Sequence, residues 1–493
     1  MAIGSISFVQ EPVGTADQVP VITNWNPIVP YVVLQSSISG LFYFKLILEV
    51  RLDSSTGLLL GKIKQRRNGL ASDITSNKAR AIFDLRDMVN SQLEDTNADQ
   101  NDTTKSIHTL PNVVTGTSFP FSLNYNQVKT VYVKCYQEYS EAATDGPQEY
   151  TSPSDNDTRR YIAASLPLEN ARGTVDFQTF AFSKFKLDDD EARFLSDVQE
   201  SYNGAYSLKD KRINYVQGTD YHTLGFLNGY KEASVGVLVD EFDSKLRYLH
   251  IEYYNAAGVD ITPSADKEGI LSNAAAYGGC KPAESDAQIN LDTERLLYVG
   301  CGPANLEAQT YDTDSKPSNS AAWAYYKVYG KDKDGNKVTD SYYFIKQDAS
   351  CKGYKVRRLA WRNSVGCFDY FNFKMKSTQT LDVSRDEYQT MLGNFNDEMY
   401  SYDNFQRGKR VRRTSAVLKE TINTDWIYEE DAQLLEGLIM STNVQIVENA
   451  DTTYTVPVMI TDKSIERKTS ANDGVKIQYT FKIEYANPYN TNS

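Results

Sequence analysis

Apolar and polar residues alternate along much of the chain, which is typical of β-strands that bury one face and expose the other. In Leu41–Leu52 the even positions are all apolar, whereas the odd positions include Lys45, Glu49 and Arg51. Val475–Tyr485 alternates in the same way. Antiparallel sheets with one solvated face are therefore expected. The same pattern predicts further strands at Thr130–Tyr139, Lys245–Tyr254, Ala322–Tyr329 and Val456–Ile460.

Helical patterns are fewer and shorter. Lys78–Leu93 begins as a strand and continues with apolar residues at helical spacing, and Asp188–Val198 opens with three aspartates, which favour a helix N-terminus. The best-defined helix is expected at Asp425–Met440, with Thr424 as its candidate N-cap and acidic residues in its first turns. These patterns predict a mostly β or α+β fold of several antiparallel β-sandwich or barrel-like domains, with a few short packed helices.

The 493 residues exceed what one ordinary hydrophobic core holds together, so several domains are expected. Polar, turn-rich segments indicate boundaries near residues 175 and 320. Residues 1–175 would form an N-terminal β-rich domain with one amphipathic helix. Residues 176–320 would form a middle β-rich domain with long loops. Residues 321–493 would hold an aromatic β-platform, the capped helix and the closing strands.

Tyrosine is unusually frequent, with 34 residues against 20 phenylalanines and 4 tryptophans. Its large ring and polar hydroxyl suit a sheet surface that meets another protein or a glycan. Tyrosine is also common in strands of any kind, so the composition alone leaves both interpretations open.

The formal net charge of −13 argues against a nucleic-acid-binding surface, because such surfaces cluster Lys and Arg to displace counterions. One basic run interrupts this acidity at Arg407–Arg413 (RGKRVRR). We interpret this run as an exposed loop, either solvated or in contact with an acidic neighbouring subunit. The candidate interface residues are Arg407, Arg410, Arg412 and Arg413.

The five cysteines are widely spaced and form no CxxC pair, so neither a zinc site nor a disulfide framework is expected. Reduced thiols fit a protein made in a cytosol. The first residues lack the pattern of a signal peptide, and the longest apolar stretch, Gly40–Leu48, is too short to span a bilayer. We therefore expect a soluble protein without membrane contact.

Residues with catalytic or metal-binding spacing are not evident. His108, His222 and His250 lie far apart, and no nucleophile elbow or phosphate-binding loop is present. Asp332–Asp340 departs from the calcium-loop pattern and favours a hairpin turn at its Asp-Gly pair. A loop calcium at Asp155–Asp157 stays open. We predict no catalytic residue, no cofactor and no enzymatic activity.

Aromatic residues are concentrated in Ser341–Met375, where a polar turn, Asn363–Gly366, precedes Phe368 and Phe371. Gly366 would permit the turn, because glycine tolerates a positive φ. Both phenylalanines would fill a core. Trp426, at the start of the expected helix, would anchor that helix in the same platform.

Three segments have a distinctive order of elements. In Asn77–Leu93 a small-residue strand ends in a Phe-Asp pair and continues as an amphipathic helix. In Tyr354–Phe373 an Asn-x-x-Gly turn precedes Phe-Asp-x-Phe. In Thr424–Ala486 an Asp-Trp pair opens a helix that is followed by an apolar strand and a final tyrosine-rich strand. The three segments cover about a third of the chain, and they resemble the structural proteins of bacteriophage virions in order and spacing more than in identity.

The resemblance implies a tail, neck or baseplate protein, located in the virion after synthesis in the host cytoplasm. Its partners would be other copies of itself and neighbouring virion proteins. We expect assembly through β-rich interfaces into a ring or collar, because one repeated heterologous contact closes into a ring. The alternative is a receptor- or glycan-binding module in the middle domain, with exposed aromatic residues such as Trp323 and Tyr325 as a sugar platform.

Overall fold

The chain is mostly β, with antiparallel sheets and a few short helices, as the alternation predicts. The computed structural model describes residues 4–12, 21–22, 31–67, 71–93, 104–114, 117–119, 121–123, 127–162, 164, 194–198, 200–201, 211–227, 248–262, 271–272, 296–308, 316–320, 322–331, 336–337, 339–347, 353–395, 397–447, 455–466, 476–487 and 490–492.

The chain divides into two compact units. Unit 1 comprises Met1–Gln347 and Asn363–Asp369, and unit 2 comprises Asp348–Arg362 and Tyr370–Ser493. Within the described residues, none of the sheets closes on itself.

The described residues of unit 1 contain strands β1 to β19 and three short α-helices. The helices are α1 (Ala71–Thr75), α2 (Arg86–Asn90) and α3 (Pro303–Glu307), and 3-10 turns lie at Ile107–Thr109 and Pro317–Ser320. The strands are β1 (Ile6–Gln10), β2 (Val21–Ile22), β3 (Tyr31–Gln35), β4 (Phe42–Leu52), β5 (Leu59–Arg66), β6 (Ala79–Phe83), β7 (Asn112–Val114), β8 (Thr117–Phe119), β9 (Phe121–Leu123), β10 (Val128–Ser140), β11 (Gln148–Ile162), β12 (Glu200–Ser201), β13 (Lys211–Val216), β14 (Thr223–Leu227), β15 (Tyr248–Tyr254), β16 (Leu271–Ser272), β17 (Leu296–Gly300), β18 (Tyr325–Lys331) and β19 (Tyr342–Lys346).

A β-sandwich forms the N-terminal part of unit 1. The sheet β1-β3-β6 packs on the sheet β2-β11-β10-β4-β5, and the apolar face of β4 lies between them. Further along the chain, unit 1 contains the sheets β12-β13-β19-β18-β15-β16, β14-β17-β9 and β7-β8. The shared core of the sandwich includes Tyr31, Val33, Leu46, Leu48, Val50, Ala81, Phe83, Val131 and Val133.

The division differs from the expected boundaries near residues 175 and 320. Strand β17 pairs with β9 across the first boundary, and β15 pairs with β18 across the second. Hydrogen-bonded strands share one core, so neither boundary separates two domains. The polar, turn-rich segments lie between strands of unit 1, and the sequence alone does not distinguish such a segment from an interdomain linker.

Unit 2 is built around one large sheet, in the order β21-β20-β27-β28-β30-β25-β22, with β31 also paired to β25. The described residues of unit 2 also form two small pairs, β23-β24 and β26-β29, and helix α4 (Glu429–Met440). The strands are β20 (Arg357–Arg362), β21 (Phe368–Phe373), β22 (Thr378–Gln389), β23 (Asn394–Phe395), β24 (Tyr400–Ser401), β25 (Lys409–Asn423), β26 (Ile427–Tyr428), β27 (Val444–Val447), β28 (Thr455–Ile460), β29 (Lys476–Ile477), β30 (Thr480–Tyr485) and β31 (Asn490–Asn492). The first two residues of β21 are assigned to unit 1.

The strand predictions are confirmed by β4, β10, β15, β18 and β28, with ends shifted by a few residues. Val475–Tyr485 is the exception, because its alternation is split into β29 and β30. At the break, the Tyr479 backbone N–H donates to Thr424 Oγ1 at 2.8 Å, and Gln478 Nε2 donates to the Thr424 carbonyl at 3.0 Å. Strand β29 then pairs with β26, whereas β30 pairs with β25 and β28.

The helix predictions have three outcomes. Lys78–Leu93 is confirmed as strand β6 followed by helix α2. The helix predicted at Asp188–Val198 is wrong for its described part. Phe194–Val198 is not helical, and Phe194 forms a β-bridge to Phe226. Helix α4 exists, but it begins at Glu429 without a side-chain cap, since the Thr424 hydroxyl is used at the strand break instead.

Candidate interaction arm

Strands β22 and β25 of unit 2 form a long β-hairpin, and every residue of β22 is exposed. The two strands pair from Thr378 opposite Thr421 to Gln389 opposite Lys409. Strand β25 pairs on its other side with β30 at residues 419–423 and with β31 at residues 414–416. Among the described residues, the remaining part of β25 pairs only with β22, so the hairpin continues beyond the rest of the sheet. We call residues 386–413 the arm and residues 390–408 its tip.

The tip of the arm forms hydrogen bonds within itself. Thr390 N–H donates to the Gly408 carbonyl at 2.7 Å, and Gly393 N–H donates to Gln406 Oε1 at 2.8 Å. Gly393 has a φ of +87°, and a Cβ at this position would lie 2.3 Å from the Ser401 carbonyl oxygen, so only glycine fits. An ordered tip loses little conformational entropy when it binds a partner.

The tip exposes large apolar side chains. Met391 and Phe405 are each 81% exposed. Soluble proteins rarely leave such side chains together in water unless they form a contact site. Methionine and aromatic side chains are also enriched in the centres of protein–protein interfaces. The exposed apolar residues of the tip are Met391, Leu392, Phe395, Met399, Tyr400, Tyr402 and Phe405.

The basic run lies beside this apolar tip, and Arg407, Arg410, Arg412 and Arg413 are all exposed. The run was expected to be a loop; instead, from Lys409 onward it is the first part of β25, because the pairing with β22 continues that far. The register shifts there, so that Arg413 faces Asp386, Val411 faces Glu387, and Arg412 is the extra residue of a bulge. Bulges re-aim side chains at sheet edges.

Cross-strand neighbours compensate only some of these charges. Lys409 forms an ion pair with Glu387, and Arg413 lies opposite Asp386. Arg410 lies opposite the uncharged Tyr388. The base of the arm, residues 386–389 and 407–413, carries five cationic side chains and two carboxylates, a formal charge of +3. An acidic chain therefore presents a locally basic surface next to an apolar one.

The four scaffold residues have different environments. Gly366 has a φ of +92° and closes the Asn363–Gly366 turn, as predicted. Phe368 is buried and packs edge-on against His108, with ring centroids 4.7 Å apart. Phe371 is only partly buried. Trp426 is 58% exposed, so the expectation that it anchors the helix in a core is corrected.

The prediction that Trp323 and Tyr325 form an exposed sugar platform is also wrong. Trp323 and Tyr325 are both buried rather than exposed on a loop. The Trp323 ring packs against Tyr326, with centroids 5.4 Å apart, and Lys346 Nζ lies 4.6 Å from its centre. Tyr325 stacks on Tyr254 at 4.9 Å. Neither ring has the open face that a sugar would need. Most of residues 176–320 lie outside the described residues.

Two carboxylates in unit 1 join a segment before β12 to strand β21 and to the turn that precedes it. Asp369 accepts hydrogen bonds from Ser196 Oγ at 2.5 Å and from the Asp197 backbone N–H at 2.9 Å. Asp197 in turn accepts from the Ser364 N–H at 2.8 Å and from its Oγ at 2.6 Å. Burial, with the nearby Asp197 charge, raises the pKa of Asp369 to about 7. We call this reciprocal set of bonds the carboxylate clasp. The alternation of apolar and polar residues did not predict this clasp.

The described residues contain no group of three or more His, Cys, Asp or Glu side chains placed to hold a metal ion. Asp155 and Asp157, considered for a loop calcium, lie in strand β11 instead. Asp155 accepts from the Phe8 backbone N–H, and Asp157 accepts from Arg159 Nε at 2.7 Å. The Asp-Gly turn expected within Asp332–Asp340 lies outside the described residues.

None of the helices in the described part of the chain combines the length and apolar character needed to cross a bilayer. No protein-family model matches this chain, and no curated protein matches it.

Proposed function

We propose that the chain is a structural subunit of a bacteriophage virion, in the tail, neck or baseplate, and that it assembles through the arm. The observation that carries the assembly role is the ordered, apolar tip of a hairpin that continues past its own sheet. The virion assignment rests on the three resembling segments. In this proposal the chain catalyses no reaction, and it acts through the contacts it forms with neighbours.

The carboxylates of the tip support contact with protein rather than with anionic lipid. The tip contains Asp397, Glu398 and Asp403 among its apolar residues, and these carboxylates would be repelled by anionic headgroups. The arginines of the base would instead meet carboxylates of a neighbouring subunit, which steers association and sets its orientation. A ring or collar follows when such a contact repeats and closes.

The experiment compares the apolar tip with a matched surface. The triple variant Met391→Ser, Met399→Ser, Phe405→Ser should be absent from purified virions, or should lower self-association at least tenfold in native mass spectrometry. The control is Met459→Ser, an exposed methionine of β28 outside the arm, which should behave as wild type. Normal incorporation and normal self-association of the triple variant would refute the role of the arm.

The positively charged base of the arm is tested by a second variant, which combines Arg410→Glu, Arg412→Glu and Arg413→Glu. Their loss of charge complementarity should weaken assembly, and the defect should shrink at high salt, where exposed charges are screened. Intact particles made from this variant would show that the basic residues form no contact, even if the apolar tip does.

A further inference from the structure

The arm carries opposite charges at its two ends. Residues 390–406 of the tip contain three carboxylates, Asp397, Glu398 and Asp403, and no lysine or arginine, a formal charge of −3. All three side chains are exposed. The base of the arm carries +3, from five cationic side chains and two carboxylates. An arm with this distribution is complementary to a second copy of itself, because the acidic tip of one copy matches the basic base of another.

The base also offers apolar contact area to a tip. Directly opposite residues of an antiparallel pair lie on one face, as do alternate residues of one strand. Tyr388 lies opposite Arg410, and Asp386, two residues earlier, lies opposite Arg413. One face of the base therefore presents an exposed tyrosine beside two arginines, and Asp386 offsets only one of their charges. An aromatic ring next to guanidinium groups suits a partner with both apolar side chains and carboxylates, which the tip has.

Within one molecule, the carboxylates of the tip do not neutralise the base. The backbone hydrogen bonds between the two strands continue from the base into the first residues of the tip, so the tip begins as an extension of the base. Among the described residues, Lys409 pairs with Glu387 inside the base, and neither Asp397 nor Asp403 forms an ion pair with an arginine of the base. The opposite charges of the two ends are therefore available to another molecule.

We propose that the tip of one copy docks on the base of the arm of the next copy, with its apolar side chains against Tyr388 and its carboxylates beside Arg410 and Arg413. This inference rests on the proposed assembly role and names the partner as a second copy of this chain. Tip and base are different surfaces, so the contact is heterologous. Passed from copy to copy, such a contact closes into a ring when the rotation between neighbours allows it.

Charge reversal at one end of the arm at a time tests this pairing in the full-length protein. The base variant carries Arg410→Glu, Arg412→Glu and Arg413→Glu, and the tip variant carries Glu398→Lys and Asp403→Lys. Each alone should raise the self-association Kd about tenfold or more, because like charges then meet. Mixed in equal amounts, the two variants should associate again, since each reversed end then meets an end of opposite charge.

A combined variant separates charge pairing from misfolding of the arm. It carries all five substitutions, and its self-association Kd should return towards the wild-type value, because both ends are reversed together; a misfolded arm would not recover. The control is Glu141→Lys with Asp145→Lys, which reverses two exposed carboxylates of unit 1 and should associate as wild type. Asp397 is kept in every variant, since its φ of +70° would strain a lysine.

Cross-linking tests whether the contact passes from copy to copy. A chain that carries both Asp403→Cys and Arg410→Cys is treated with a short bismaleimide, and wild-type protein treated in the same way is the control. A ladder of covalent oligomers is expected, because each tip then lies on the base of a further copy. A covalent dimer with nothing larger would overturn this arrangement, since two copies would occupy both ends of each other's arm.

The possible results separate this inference from the proposed function. If the serine variant of the apolar tip fails to assemble but the tip variant associates as wild type, or if mixing restores nothing, the base of a second copy is the wrong partner and the assembly role of the arm still stands. If wild-type protein stays monomeric at every concentration while virions require the arm, the inference is overturned and the partner is a different virion protein. If the serine variant also assembles normally, both proposals fall.

Discussion

Asp369 and Asp197 are linked by a hydrogen bond of 2.9 Å from the Asp197 backbone N–H to the Asp369 carboxylate, although both residues carry acidic side chains. Asp369 is buried, and it accepts hydrogen bonds from the Ser196 hydroxyl and the Asp197 backbone N–H, with Asn363 as a further hydrogen-bond partner. Among the described residues, no lysine or arginine pairs with it. The clasp therefore retains a carboxyl group at a site that disfavours its charge.

The clasp predicts an unusual pH dependence of stability. The folded-state pKa of Asp369, about 7, lies above its ordinary value of 3.8, so the folded protein binds this proton more tightly than the unfolded chain does. The contribution of Asp369 to the free energy of unfolding should therefore fall as pH rises from about 4 to 7. Asp369→Asn should lose this slope, measured by urea unfolding at pH 5 and pH 8. An exposed control, Asp145→Asn, should keep it; equal slopes in wild type and Asp369→Asn would contradict the prediction.

A buried ion pair in unit 2 predicts the opposite dependence at acid pH. Arg357 Nε donates to Glu420 Oε1 at 2.8 Å, and Tyr485 and Gln379 donate to the other carboxylate oxygen. Burial would raise the pKa of Glu420, but these hydrogen bonds outweigh it and lower the pKa. Its stabilisation is thus present above the ordinary pKa of 4.5 and is lost as pH falls below it.

Breaking that pair should be costly. Glu420→Gln leaves Arg357 buried without a counter-charge, and about 3 to 5 kcal/mol of unfolding free energy should be lost at pH 7. The matched control is the neighbouring Lys419→Gln, whose exposed ion pair with Asp382 is screened by water and should contribute little to stability. Chemical denaturation of the two variants measures the difference. Similar losses of unfolding free energy would show that the buried pair contributes no more to stability than the exposed one.

Two tryptophans of unit 2 should respond differently to truncation. Trp361 lies fully buried in β20, and Trp361→Ala should cost about 3 to 5 kcal/mol through lost burial and the cavity it leaves. Trp426→Ala should change stability by no more than about 0.5 kcal/mol, because the ring is mostly in water. Urea unfolding measures both changes. A large loss of unfolding free energy for Trp426→Ala would show that Trp426 does anchor the helix.

The conformation of the tip should depend on Gly393. Alanine there meets both a positive φ and the Ser401 carbonyl oxygen, which together should cost about 1 to 3 kcal/mol locally. Hydrogen exchange at residues 394–401 should accelerate while the core of unit 2 stays protected. Gly353→Ala is the control, since Gly353 also has a positive φ but its Cβ would meet no atom within 4 Å. Equal effects of the two substitutions would mean that the close approach to the Ser401 carbonyl oxygen does not contribute to the stability of the tip.

Local patterns were sufficient to locate many elements. Alternation identified β4 and β10, and the polar turn before β21 requires a positive φ at Gly366 as expected. The basic run was also visible, although its assignment to a loop was not correct. These features depend on neighbours along the chain, so the sequence carries them directly.

The break in Val475–Tyr485 shows a feature that the local sequence pattern cannot predict. An uninterrupted alternation predicts one strand, but Thr424, more than fifty residues earlier, takes the hydrogen bonds that divide it. The same long-range contact removes Thr424 from its expected place as a helix cap. No window of sequence contains both partners.

The sequence by itself determined that this protein is made of half-buried strands, where many of them run, and which short segment is basic. Tertiary structure alone decided which strands pair, and therefore that β22 and β25 continue past their sheet with an apolar tip and that Trp426 stays exposed. Alternation reports that a strand buries one face, but not what covers that face, because burial is completed by residues distant in the chain.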